Sequence, residues 1–136
     1  MSQFSPSLRC AMVAAVLLLP GVSARADEGP PLDILGLYDQ FVASGAAASR
    51  CAEPTDALAL RFLSNFQWVT AYATREIGSR RPEFTSQQVA DELATRSREI
   101  KANTHAMVKE EGCASEPVQR LVRRFLAQSA WRPESV

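Results

Sequence analysis

The chain has 136 residues, 46% of them hydrophobic and 22% charged, with 15 basic residues against 15 acidic and no formal net charge at pH 7. That balance gives no footprint for nucleic acid. Low-complexity segments, repeats at solenoid spacing and Asn-x-Ser/Thr acceptors are all lacking from the sequence, which excludes repeat and low-complexity architectures.

The first residues read as a cleaved export signal. Arg9 supplies the positive start, "AMVAAVLLL" (11–19) is a short apolar run, and Pro20-Gly21 break it. Ala24-Arg25-Ala26 fits the small-x-small cleavage rule, so cutting is expected after Ala26. The apolar run is about half the ~20 residues of a membrane span, which disfavours an anchor. Cys10 precedes that run, whereas a lipoprotein cysteine follows it. Cleavage leaves 110 residues, 27–136, enough for one helical domain with one core. These carry 13 basic and 15 acidic residues, a net charge of −2. The expected location is the periplasm or the extracellular medium, with no transmembrane segment in the mature chain.

After the polar leader "DEGPP" (27–31), helical spacing predicts four helices, near 32–48, 55–78, 86–111 and 116–130. The first carries Ile34/Leu35, Tyr38 and Phe41/Val42, with Gly45 continuing the face. Its pattern fades in "SGAAASR" (44–50), where small residues replace core fillers. The second starts at Pro54-Thr55 and is expected to stop at Gly78. Its inward stripe is Ala59, Phe62/Leu63, Phe66, Val69, Ala73 and Ile77. The third opens on a Thr-x-x-Gln capping box at Thr85 and turns Val89, Leu93, Ile100, Thr104 and Met107/Val108 inward before Gly112. The fourth has Ser115 as N-cap and Pro117 in its first turn, with Val118, Leu121/Val122, Phe125/Leu126 and Ser129 inward. No segment alternates like a strand. The predicted fold is all-α, a small up-down four-helix bundle.

Cys51 and Cys113 lie at the first and third joints of that bundle, which share one end. Cys10 leaves with the signal, so the remaining count is even, and disulfides persist after export. A Cys51–Cys113 bond is therefore expected. It closes a separation of 62 residues, worth about 4 kcal/mol in the chain-entropy model. Free thiols, a redox pair or half a metal site lack supporting CxxC or Cys/His spacing.

A catalytic constellation is not legible. His105 is the single histidine and reads as a solvated surface residue on the Lys101-His105-Lys109 line. Its neighbours three and four positions away, Lys101, Ala102, Val108 and Lys109, are not metal ligands at neutral pH, so no metal and no cofactor are expected. No nucleophile elbow or glycine-rich phosphate loop is present. Asp91-Glu92 and Glu110-Glu111 read as solvated acids, Glu92 pairing with Arg96 four residues on. The expectation is that the protein is not an enzyme.

The outer face of the second helix is the most suggestive feature. Trp68 and Tyr72 lie four apart, away from the Phe62/Phe66/Val69 stripe, with Arg61 and Arg75 seven residues either side of Trp68. Arg120, Arg124 and Trp131 repeat the theme more weakly. Aromatic side chains among arginines are the composition of a contact hot spot; the competing reading is a second core face. Arg61, Trp68, Tyr72 and Arg75 are the candidate partner-binding residues. Truncating Trp68 should then disturb stability less than truncating Phe66.

The arrangement of export signal, few helices and one long-range disulfide resembles that of small periplasmic acid-stress chaperones and of periplasmic immunity proteins. Neither family's local sequence pattern is present, and no residue is carried over. The expected function is non-enzymatic binding of another envelope or secreted protein. The alternatives are a carrier of a small apolar ligand between helices, lined by Phe62, Phe66, Phe125 and Met107, or an envelope-stress chaperone. Gly45, Ala59 and Ala73 on inward stripes leave room for such a ligand.

Overall fold

A computed structural model describes residues 32–132; the expected export signal lies outside them. Four helices follow one another: α1 (Ile34–Cys51), α2 (Asp56–Arg80), α3 (Ser86–Glu111) and α4 (Glu116–Ala130). The fold is an all-α bundle with alternating helix directions. None of these helices is long and apolar enough to cross a membrane.

Local chemistry sets the ends. Asp33 caps α1, its carboxylate accepting from Gly36 N at 3.0 Å. Thr85 and Gln88 close both halves of the expected capping box, at 3.2 and 2.8 Å. Ser115 is the N-cap of α4 by position, but its hydroxyl makes no capping bond. α2 runs past Gly78 to Arg80, because one glycine costs a helix only about 1 kcal/mol. The Arg80–Glu76 pair, at 2.6 Å, supports that last turn, and Pro82 follows the stop. Gly112 ends α3 at φ +81°, a backbone conformation that favours glycine.

The first helix occupies the centre. α1 packs closely against each of the other three, whereas α3 and α4, consecutive in the chain, touch least. The stretch that looked empty of core residues supplies this role. Ser44, Ala46, Ala47 and Ala48 are buried, Ala47 completely. Small side chains let neighbouring backbones approach, so their burial reflects closeness and not volume.

The disulfide links Cys51 to Cys113 as expected, with Cα atoms 5.3 Å apart. It ties the end of α1 to the α3–α4 turn. Further along, Tyr38 donates to Leu93 O at 3.3 Å, and Asp39 accepts from Arg96 at 2.5 and 2.6 Å. These contacts run in register along α1 and α3, which are parallel. Burial raises the Tyr38 phenol above its ordinary 10.0; hydrogen bonding to Asp39 raises the Arg96 guanidinium.

Candidate functional site

The two sides of α2 differ. Its buried face is Phe62, Asn65, Val69, Ala73 and Ile77. Asn65 replaces Leu63 and Phe66 in the expected stripe. Its amide donates to Gln128 O at 2.7 Å and to Trp131 O at 2.9 Å, satisfying carbonyls at the end of α4. Ser44 of α1 donates to the Gln128 side-chain oxygen, joining three helices. Phe62 packs tilted against Phe125 at 4.5 Å between ring centroids and against Phe41 at 5.2 Å. At Phe62 the two helices are in close contact.

On its other side α2 faces α3 across a groove of about 470 Å³. Phe41, Val42 and Gly45 of α1 form the floor; Ala59, Leu63 and Phe66 form the α2 wall. The far wall is Lys101 and His105 of α3. Leu63, expected in the core, is 52% exposed on the rim, and Leu60 beside it is 66% exposed. Phe66 is only half-buried. These corrections share one cause. The buried face of α2 is turned toward α4, and α3 does not close over the apolar residues that remain. Gly45 keeps the floor low: a Cβ there would stand 3.1 Å from the Phe62 ring.

Of the residues expected to line a ligand cavity, Phe62, Phe66 and Phe125 do so. Met107 does not, and Ala73 is buried away from it. Gly45 and Ala59 do leave the room anticipated for them. His105 is half-buried in the groove wall and not a solvated residue. It lies one position after Thr104, at the boundary of the inward stripe, and Lys101 stands in the same relation to Ile100. A boundary residue is exposed when a neighbour stands away and covered when it packs. Spacing on one helix carries no signal for that choice.

The candidate partner-binding residues are only partly assembled. Trp68 and Tyr72 pack with tilted rings, centroids 4.1 Å apart, and the Arg75 guanidinium lies 5.2 Å over the Tyr72 ring. Trp131 meets Trp68 edge-on at 5.3 Å, and Trp68 is half-buried against the core. Trp68 thus belongs in part to the closing of the bundle, while Tyr72 stays exposed. Arg61 stands apart, beside Trp131 and Arg132 in a separate polar groove.

The chemistry available in the apolar groove is sparse. No carboxylate lines it, and its one hydroxyl, on Ser49, donates to Ala46 O at 2.8 Å. Among the described residues, no group of three or more His, Cys, Asp or Glu side chains is placed to hold a metal ion. No family model matches this chain, and no curated protein or solved structure is similar to it at a significant level.

Proposed function

We propose that this protein is a non-enzymatic binding protein that holds a small apolar ligand in the groove between α2 and α3. One observation carries the reading: a volume of about 470 Å³ bounded by four phenylalanines, a leucine and small residues, and left uncovered by the described residues. Small-molecule sites span about 300–1,000 Å³ and are mostly apolar with few polar groups. A groove without a carboxylate or a free hydroxyl suits holding a ligand better than transforming one. A disulfide across the bundle suits work in an oxidising compartment, periplasmic or extracellular.

The test is fluorescence titration with N-phenyl-1-naphthylamine, an uncharged apolar probe. Wild-type protein should bind it saturably at one site. Ala59→Phe, which projects a ring into the groove, should weaken binding by tenfold or more. Absence of saturable binding, or equal binding by the variant, would overturn the reading.

A second reading, binding of another envelope or secreted protein, keeps one observation in its favour: the exposed Tyr72–Arg75 pair beside Trp68. Its test is capture of a partner from an envelope extract that Tyr72→Ala no longer captures, the groove being blocked by Ala59→Phe in both baits.

A further inference from the structure

The groove is apolar along most of its length and basic at one end. His105 lines both the groove and an adjoining pocket formed with Arg50, Val108 and Lys109. Lys101 and Lys109 stand one helical turn either side of His105, and Arg50 reaches in from the last turn of α1. The disulfide next to Arg50 holds that end of α1 against the α3–α4 turn. No acidic side chain lines either cavity.

Some surface cations are neutralised by a neighbouring carboxylate, and these are not. Arg80, Arg81, Arg96, Arg120 and Arg123 each lie within ion-pair distance of a carboxylate. Among the described residues, Arg50, Lys101 and Lys109 have no such partner. Three unpaired cations and a histidine therefore gather where an apolar groove ends. Like charges so grouped repel one another, and an anion seated among them removes that cost.

We infer that the ligand is a single-chain anionic amphiphile, a fatty acid, with its chain between Phe66 and the α1 floor and its carboxylate at Arg50, His105 and Lys109. This rests on the proposed apolar site and adds the headgroup to it. About 470 Å³ is near the small end of ligand sites and suits one acyl chain, not two. Arginine offers a planar fork that matches a carboxylate, and the lysine adds a point charge.

Competition with N-phenyl-1-naphthylamine, below micelle formation, measures dodecanoate, dodecanol and dodecyltrimethylammonium on one scale. Dodecanoate should displace the probe about tenfold or more better than dodecanol, the effect of one charge-assisted hydrogen bond, and the ammonium should be weakest. Arg50→Gln/Lys109→Gln should collapse the dodecanoate-to-dodecanol ratio, and so should salt at about 1 M, where charge interactions are screened within ~3 Å. Both substituted side chains are exposed, so the variant should fold. Equal displacement by dodecanoate and dodecanol would overturn the headgroup assignment and leave the apolar site standing, as would a ratio that survives the double substitution. Failure of all three to displace a bound probe would overturn the inference by placing the probe elsewhere. Failure of the probe itself to bind removes the apolar site and the inference with it.

Discussion

One helix, α2, meets two neighbours with aromatic residues on both sides and reaches opposite outcomes. Toward α4, Phe62 packs on Phe125 and Asn65 ties down the terminal carbonyls, so the two helices are held together. Toward α3, Leu63 and Phe66 face space. Apolar content alone does not separate the two seams. What separates them is where polar groups anchor the neighbour. α4 is fastened to α2 through Asn65, whereas α3 is fastened to α1 through Tyr38, Asp39 and the disulfide. With α3 held to α1, the α2–α3 seam remains apart.

Substitutions on each seam break this contrast in different ways. Phe62→Ala, in the seam toward α4, should have the largest effect, about 3–5 kcal/mol lost in urea unfolding. Cys113→Ser should lose about 2–5 kcal/mol and free the basic end of the groove from α1, which a melt with and without reductant would reveal. Trp68→Ala and Phe66→Ala should each cost about 2 kcal/mol, less than Phe62→Ala, since both side chains are half-buried. Phe66→Ala should also weaken probe binding, and Trp68→Ala should not. A Trp68→Ala cost near zero would free that ring from the fold and restore the hot-spot reading.

Asn65→Ala should cost about 1–3 kcal/mol by leaving two carbonyls at the end of α4 unpaired, with faster amide exchange there as the local signature. Leu63→Gln sharpens the contrast most: stability should change by no more than about 0.5 kcal/mol, while probe affinity falls. The smallest effect is on pH dependence. The Tyr38 phenol is raised in the fold, so its contribution is complete below pH 10 and is lost as pH rises through the folded value. Tyr38→Phe should flatten the alkaline limb of a stability profile.

Much of the architecture is legible in the sequence. The Thr85 box, the Gly112 stop and the shared end of two joints follow from local rules, and the disulfide follows from topology and an even cysteine count. The groove is half legible. Phe62, Phe66, Phe125, Gly45 and Ala59 are legible as cavity residues, whereas Met107 lies outside the groove and His105, expected in solvent, is half-buried in its wall. The burial of residues within 44–48 is not legible, because small side chains carry little of the volume that marks a core. A central helix with three close neighbours needs the opposite.

The sequence by itself determined four helices, most of their ends and a covalent link between two joints, because capping, glycine stops and chain connectivity act over a few residues or through order along the chain. The tertiary structure alone decided which side of α2 is covered, why Ala47 is more buried than Phe66, and that His105 joins a groove to three cations. Those outcomes depend on the distance between helices, set by Asn65, Asp39–Arg96 and the small residues of α1 acting together. Residues far apart in the chain fix that distance, and no single helix's periodicity contains it.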